Sequence, residues 1–145
     1  MKVEGACHCG EIRFRAEVDP QKVSICHCAD CQTLSSSAFR VAVQAKAGTF
    51  ELLAGEPRNY VKTAESGNKR VQGFCSNCGT SIFSAPPGNG PKVYTLRVGT
   101  LTQRAELTPS LQIWTRSTVA WLDHLPDVEK MATQPAFDAN GQIIR

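Results

Sequence analysis

The sequence of 145 residues lacks several features that would place it in a common class. Residues 1–25 hold no long apolar run, which predicts neither a signal peptide nor a membrane span and favours a reducing, cytoplasmic location. The formal net charge is only +3, without the clustered Lys and Arg of a typical nucleic-acid-binding protein. Because no repeat or linker divides the chain, we expect a single domain over residues 1–132 and a polar, loosely held C-terminal tail over residues 133–145.

Helical periodicity is scarce as well. Only residues 118–132 carry a short helical pattern, and Pro126 interrupts it. Short β-prone segments occur instead at regular spacing, separated by turns that contain Gly and Pro, and this arrangement predicts an all-β domain with minor helical turns. The predicted strands and extended segments are 11–18, 23–28, 39–43, 49–53, 60–62, 70–74, 81–83, 92–98 and 111–115.

Two of these segments alternate between apolar and polar side chains. A period of two is typical of a strand with one buried face. We therefore expect the apolar side chains to face the core, and we expect Asp19 and Pro20 to end the first strand. The apolar positions are Ile12, Phe14, Ala16, Val18, Tyr94, Leu96 and Val98.

Seven cysteines fall in three short groups, and this clustering is the main functional signal. Isolated cysteines are often plain core residues, but core residues have no reason to cluster in this way. A disulfide framework is disfavoured by the odd number and by the absence of an export signal. Four thiolates complete a tetrahedral zinc site, whereas three leave one position open. The groups are Cys7 with Cys9, Cys26 with Cys28 and Cys31, and Cys75 with Cys78.

The spacing within the two outer pairs suits a shared metal ion. On an extended backbone, Cys7 and Cys9 point to one face, so both sulfurs reach one ion at about 2.3 Å. The pair Cys75 and Cys78 forms a knuckle, and Gly79 allows the positive φ that such a turn needs. A redox role for that pair requires a βαβ context, which the sequence does not predict.

The central group permits two interpretations. Cys26, Cys28 and Cys31 either form a catalytic zinc site with an open position, or form a closed site completed by His27, Asp30 or a distant residue. Spacing alone leaves both open. An iron–sulfur cluster is disfavoured because it commonly uses four cysteines in one group.

The histidines between paired cysteines are expected to point away from the metal. Alternation along a strand turns His8 and His27 to the opposite side from their neighbours. Each is therefore interpreted as a group that supports the ligands or as a surface histidine, rather than as a ligand.

These motifs resemble one family, the glutathione-dependent formaldehyde-activating enzymes, which is also grouped with centromere-protein-V-like domains. The resemblance covers residues 5–129, and all seven cysteines match in order and spacing. The sequence departs from the family pattern at Gln32, where Arg is common, and at 35–37, where a Gly is usual. The matching segments are Gly5-Ala6-Cys7-His8-Cys9-Gly10, Cys26 to Cys31, Phe74-Cys75 to Gly79, Gly99-Thr100-Leu101, and Pro109 with Ile113-Trp114.

The resemblance implies a fold, two metal sites and an activity. The fold would be Mss4-like (β-tent), with small antiparallel sheets around two zinc ions. A structural zinc would be held by Cys7, Cys9, Cys75 and Cys78, and a catalytic zinc by Cys26, Cys28 and Cys31. The activity would be that of a carbon–sulfur lyase of the S-(hydroxymethyl)glutathione synthase type, acting on a small-molecule thiol and an aldehyde.

A non-catalytic zinc module that binds a protein or nucleic acid is the competing interpretation. Relatives linked to centromeres favour it. A basic tail would also favour it, but residues 133–145 carry one Arg and one Asp. We therefore expect no nucleic-acid partner and leave the oligomeric state open.

The sequence offers further candidates for roles in the reaction. Asp30 could shuttle a proton, although a turn residue bonded to nearby backbone is the simpler interpretation. The two tryptophans, Trp114 and Trp121, could line a pocket, but large aromatic side chains are more often found in the core, where we expect both. Six basic residues could meet substrate carboxylates, but each is expected to be a solvated surface charge. They are Arg13, Arg40, Lys62, Arg70, Arg97 and Arg116.

Overall fold

The computed structural model describes residues 1–144 and confirms the all-β class. One α-helix and four short 3₁₀ helices accompany the strands in this part of the chain. The strands are β1 (Lys2–Ala6), β2 (Arg13–Cys26), β3 (Arg40–Ala45), β4 (Glu51–Ala54), β5 (Arg58–Thr63), β6 (Lys69–Phe74), β7 (Ser81–Ala85), β8 (Thr95–Arg97), β9 (Leu111–Ile113), β10 (Ala136–Phe137) and β11 (Ile143–Ile144). The helix α1 is Ala29–Ser35, and the 3₁₀ helices are Val98–Thr100, Arg104–Glu106, Thr115–Ser117 and Ala120–Asp127.

Strand β2 is the centre of the sheet topology. The main path runs β1-β2-β3-β8-β7-β6-β5, and each neighbouring pair is antiparallel. The first part of β2 also pairs with β4, and its last three residues pair in parallel with β9. One strand therefore connects the loop before it, which carries Cys7 and Cys9, with the segment after it, which carries Cys28 and Cys31.

The predicted alternation is confirmed. The apolar side chains of residues 12–18 are at most 5% exposed, and Leu96 and Val98 are equally buried. Tyr94 packs against this core and stacks on Phe50 at 4.1 Å between ring centroids. The buried face thus forms the core of the domain, and two of the cysteines, Cys7 and Cys75, belong to that core.

The expected end of the first strand at Asp19 and Pro20 is wrong. The residue pairs of β2 with β3 shift from Val18–Ala45 to Val23–Val43, so residues 19–22 form an irregularity within one strand. Proline fits at such a place because it has no N–H to offer a partner strand. The predicted segments 11–18 and 23–28 are therefore parts of one long, bent strand.

The end of the chain adds little to the core. The pattern at residues 118–132 appears as a 3₁₀ helix that contains Pro126. Within the predicted tail, β10 and β11 form an exposed two-stranded hairpin, while Arg145 lies outside the described residues. Among residues 1–144, no helix combines the length and apolar character needed to cross a bilayer.

Gly5 illustrates how tightly β1 packs on β2. Gly5 is paired with Phe14, whose ring is fully buried. A Cβ at Gly5 would lie 2.3 Å from Phe14 Cζ, which is impossible without moving the ring. The glycine at the start of the first cysteine motif thus makes room for an aromatic ring.

We expect Gly5→Ala to destabilise the fold by about 1–3 kcal/mol because the added methyl group overpacks the core. Thermal unfolding followed by circular dichroism would measure the change. Gly99→Ala is the matched control, since a Cβ there meets no atom within 4 Å. Equal melting temperatures for the two variants would contradict this account of Gly5.

Candidate functional site

The structure brings the two outer cysteine pairs together. Cys7 and Cys9 lie between β1 and β2, and Cys75 and Cys78 lie between β6 and β7. All four Sγ atoms lie within 4.8 Å of one another, with 3.6 Å from Cys7 to Cys9 and 3.7 Å from Cys9 to Cys75. Four sulfurs around a tetrahedral zinc at about 2.3 Å would be about 3.8 Å apart, so this cluster could hold a metal ion.

Backbone turns hold these sulfurs in place. The N–H of Gly79 donates to the carbonyl of Cys75 at 2.8 Å, and Gly79 takes the expected positive φ of 77°. The N–H of Ile12 donates to Cys7 Sγ at 3.2 Å. The two loops are joined where the N–H of His8 donates to Thr80 Oγ1 at 3.1 Å. The four thiols are therefore positioned by the fold.

The surroundings of this cluster lower the pKa of two of its thiols and raise that of a third. A hydrogen bond from the Cys78 N–H lowers the pKa of Cys75, but burial and the neighbouring Cys78 and Cys7 thiols outweigh it and raise this pKa to about 11. The hydroxyl of Thr80 lies 3.1 Å from Cys78 Sγ. This hydrogen bond, together with backbone hydrogen bonds from Cys9 and Thr80, lowers the pKa of Cys78 to about 5. Burial alone would raise the pKa of Cys7, but hydrogen bonds from the Ile12 N–H and neighbouring thiols bring it below its usual value of 9.0. Thiolate is the form that binds metal.

The central cysteines form a second cluster at the end of β2. The Sγ atoms of Cys26, Cys28 and Cys31 lie within 4.8 Å of one another. Cys28 is the N-cap of α1, and its Sγ accepts a hydrogen bond from the N–H of Cys31 at 3.3 Å. The three thiols, from the end of β2, the N-cap of α1 and its first turn, therefore point to the same place.

The three central thiols differ in acidity. Burial would raise the pKa of Cys28, but the N–H of Cys31, hydrogen bonds from the other two thiols and the charge of Lys62 bring it below 9.0. Burial and the neighbouring sulfurs raise the pKa of Cys31 to about 12. Three thiolates so close together repel one another, and a bound cation would stabilise them. This cluster therefore also could hold a metal ion.

Neither histidine joins a cluster. His27 is buried, its Nε2 lies 2.7 Å from Gln112 Oε1, and its ring packs beside Phe39. His8 is exposed. The surface interpretation is thus wrong for His27, because strand alternation turns its ring into the protein rather than into water.

The side chain of Gln32 forms hydrogen bonds that link the segment of the central cluster to a later part of the chain. Its Nε2 donates to the carbonyl of His27 at 2.8 Å and to that of Ser117 at 2.9 Å. This is a position where the family resemblance leads one to expect Arg. The amide here bridges two backbone segments, a role that the sequence alone does not reveal.

One side of the central cluster carries a partly buried ion pair. A cavity there is lined by Cys28 together with Lys62 and Trp114. Lys62 Nζ lies 2.9 Å from Asp30 Oδ2. The structure therefore shows Asp30 in an ion pair beside Cys28, rather than bonded to nearby backbone.

The expectation that the tryptophans lie in the core is wrong. Trp114 is 41% exposed and Trp121 is 55% exposed. Trp114 also takes a left-handed backbone conformation, and the guanidinium of Arg116 lies 4.8 Å from its ring centroid. Both residues follow β9, where the chain runs over the surface instead of returning to the sheet.

The other side of the central cluster opens into a cavity of about 540 Å³. Cys26 and Cys31 line it together with Arg40, Arg70 and Arg97. Arg40 and Arg97 are only 6% and 7% exposed, so the expectation of solvated charges is wrong for both. The reason lies in the strand pairing, because β3, β8, β7 and β6 lie side by side beyond β2.

The remaining basic candidates lie elsewhere. Arg13 is exposed, as expected, and Arg116 pairs with Glu65 at 3.0 Å on the surface. The structure therefore groups three of the six basic residues beside Cys26 and Cys31, and it places Lys62 on the opposite side near Cys28.

Comparison with known proteins gives a consistent result. The model of the family described as glutathione-dependent formaldehyde-activating enzyme matches residues 2–117. A Schizosaccharomyces pombe protein described as an uncharacterised lyase is 36% identical over 83 residues, covering 57% of this chain and 56% of the relative. A Halomonas elongata protein, named as a candidate enzyme of that same family, is 28% identical over 92 residues, covering 60% of this chain and 58% of the relative. The chain thus spans little more than half the length of these relatives.

A solved structure shows the same fold. The crystal structure of a Rhodobacter sphaeroides protein superposes with a TM-score of 0.57 and 18% sequence identity. The match covers 75% of this chain and 98% of that protein. The arrangement of strands is therefore found in an experimental structure as well.

Proposed function

Since the chain belongs to the family of glutathione-dependent formaldehyde-activating enzymes, we propose that it is a zinc-dependent carbon–sulfur lyase. It would form or cleave the adduct between a glutathione-like thiol and an aldehyde such as formaldehyde, as an S-(hydroxymethyl)glutathione synthase does. The observation that carries this proposal is the division of seven thiols into a group of four and a group of three.

This division supports different roles for the two clusters. Cys7, Cys9, Cys75 and Cys78 supply the four ligands of a closed, structural zinc site. Among the described residues, no further His, Cys, Asp or Glu side chain adds a fourth ligand to Cys26, Cys28 and Cys31. We therefore assign the central cluster to a catalytic zinc, because three protein ligands leave a position for a substrate.

The chemistry requires a sulfur nucleophile next to an aldehyde carbon. A zinc ion held by the central cysteines would keep an added thiol deprotonated at neutral pH. In the forward direction, the sulfur forms a bond to the aldehyde carbon, and the carbonyl oxygen takes up the proton that the thiol has lost. Cleavage of the adduct reverses both changes.

Residues of this chain would assist the proton transfer and the positioning of substrate. The ion pair of Asp30 with Lys62 lies beside Cys28 and can exchange a proton with a group bound there. On the other side, the arginine-lined cavity admits a substrate next to Cys26 and Cys31.

We expect catalytic amounts of the zinc-loaded protein to accelerate the exchange between formaldehyde and its glutathione adduct. Exchange NMR would measure the rate, and elemental analysis of the same sample should find two zinc ions per chain, one for each cluster. Protein from which the zinc has been removed serves as the control. A loaded protein that leaves the uncatalysed exchange rate unchanged would contradict the proposed activity.

A further inference from the structure

Two buried arginines lie beside the central cluster without an acidic partner. Among the described residues, Arg40 Nη2 and Arg97 Nε are buried and have no hydrogen-bond partner. Both side chains are more than nine-tenths buried. Their other contacts converge on one neutral oxygen, because Gln72 Oε1 accepts from Arg97 Nη2 at 2.6 Å and from Arg40 Nη1 at 3.3 Å.

Burying a charged guanidinium without a carboxylate partner is energetically unfavourable. The pKa of Arg97 shows this effect. Burial and the charge of Arg40 lower the pKa of Arg97 to about 9. A third arginine, Arg70, faces the same cavity and donates to Ser84 Oγ at 3.2 Å. Lys22 also lines the cavity, but its charge is paired with Asp19 at 3.9 Å. No aspartate or glutamate lines this cavity among the described residues. Groups whose pKa is strongly shifted by burial and by a neighbouring charge within a cleft are enriched at functional sites.

The charges of the metal site do not account for three arginines. Three thiolates around one divalent zinc carry a net charge of −1, and Cys26 and Cys31 are the members of that site that face the cavity. A thiolate in the open position would add one further negative charge. One positive charge of the arginine group then remains, and a single carboxylate would balance it.

From this placement, we propose that Arg40, Arg70 and Arg97 bind a carboxylate of the thiol substrate and so determine which thiols the site accepts. The inference rests on the proposed function, since it takes the central cluster to be the place where the thiol sulfur binds. It narrows the substrate class to small thiols that carry an acid group within reach of the sulfur.

The acid group belongs on the thiol for a chemical reason. Formaldehyde has no charge, so it offers nothing for three cations to recognise. A guanidinium presents parallel N–H donors that fit the two oxygens of a carboxylate. Arg40 and Arg97 both line the cavity, and each keeps one N–H donor that has no partner within the protein. A ligand held at its sulfur and at its carboxylate would be oriented at two points.

Direct binding tests this proposal with three small probes. Isothermal titration calorimetry on the zinc-loaded protein would compare 3-mercaptopropionate, which has both groups, with 2-mercaptoethanol and propionate, which each lack one. We expect 3-mercaptopropionate to bind at least about tenfold more tightly than either of the others, as one charge-assisted contact predicts. Equal affinities for the two thiols would overturn the proposal, and so would propionate binding as tightly as 3-mercaptopropionate.

A single isosteric substitution tests the arginines without emptying the core. Gln72→Glu places a carboxylate at the oxygen that both arginines already contact, so it should occupy the site in place of the substrate acid. We expect the preference for 3-mercaptopropionate over 2-mercaptoethanol to fall from at least about tenfold to about twofold or less, with 2-mercaptoethanol affinity kept. Arg97→Met should have the same effect if it folds. Gln142→Glu, an identical change in the exposed C-terminal hairpin, is the control.

The outcomes separate this inference from the proposed function. If Gln72→Glu keeps the full preference, the arginines serve the fold or the metal site and the inference is wrong, whatever the exchange assay shows. If the protein prefers acidic thiols and loses that preference in Gln72→Glu, the inference stands even when formaldehyde exchange is not accelerated. Binding is measured without an aldehyde, so neither result depends on catalysis.

Discussion

Replacement of Cys75 by serine is expected to prevent stable folding. Cys75 is fully buried and lies at the junction of the loops that carry the four-cysteine cluster. Structural zinc sites contribute about 10–16 kcal/mol in small domains, which is similar in size to the roughly 5–15 kcal/mol by which a domain is stable. Loss of one ligand lowers the metal affinity by orders of magnitude and so removes much of that stabilisation. Circular dichroism melting should show a fall of at least about 10 °C or no cooperative transition.

Ser76→Ala provides the matched control for this experiment. Ser76 lies next to Cys75 in the same knuckle and is exposed, so its substitution should leave the melting temperature and the zinc content unchanged. A Cys75→Ser protein that binds both zinc ions and melts like the unmodified protein would show that the four-cysteine cluster is not a structural metal site.

Replacement of Cys28 by serine is expected to abolish catalysis and leave the fold intact. The N-cap contact from the N–H of Cys31 survives, because serine is among the preferred N-cap residues. The hydroxyl is a far weaker zinc ligand than a thiolate, so the zinc content should fall from two to one per chain, one cluster remaining. We expect the acceleration of formaldehyde exchange to fall by at least about 100-fold, the lower range for loss of a group that acts in the transition state.

Thr33→Ala tests whether this effect is specific to the sulfur. Thr33 lies on the exposed face of α1, one turn beyond Cys28, so its loss should change neither zinc content nor exchange rate. If Cys28→Ser accelerated exchange as well as the unmodified protein, the zinc-centred mechanism would be wrong. Together, Cys75→Ser and Cys28→Ser separate the metal ion that maintains the fold from the one that we assign to the chemistry.

The grouping of the cysteines could be predicted from the sequence because ligand spacing is a local property. Cys-x-Cys on an extended backbone and a knuckle followed by Gly79 each fix their geometry within a few residues. The buried face of residues 12–18 is equally predictable, because apolar and polar side chains alternate there. Which cysteine groups come together in space depends on the topology. The family resemblance implies that Cys7 and Cys9 join Cys75 and Cys78, and the structure brings these four together.

The arginine cavity could not be predicted, because burial of a charged residue depends on neighbours that are distant in sequence. Nothing near Arg40 or Arg97 distinguishes either from a surface charge. Their strands lie side by side only because β3 pairs with β8, and Gln72 reaches them from β6. The exposed position of Trp114 depends in the same way on the path of the chain after β9.

The irregularity in β2 cannot be predicted from the sequence, for a different reason. Asp19 and Pro20 are strong local signals for the end of a strand. They are compatible with a continuing strand here because pairing with β3 resumes at Val23 in a shifted register. Local turn chemistry and long-range pairing thus gave opposite indications, and the long-range pairing prevailed.

The separation of the ligands along the chain has a consequence for biosynthesis. Cys26, Cys28 and Cys31 are complete within six consecutive residues, whereas Cys9 and Cys75 are 66 positions apart. Closing the longer loop costs roughly 2 kcal/mol more in chain entropy. A ribosome therefore exposes a finished three-thiol site well before the second half of the four-thiol site has been translated. We expect a growing chain to be able to bind metal at the central cluster before the four-cysteine cluster is complete.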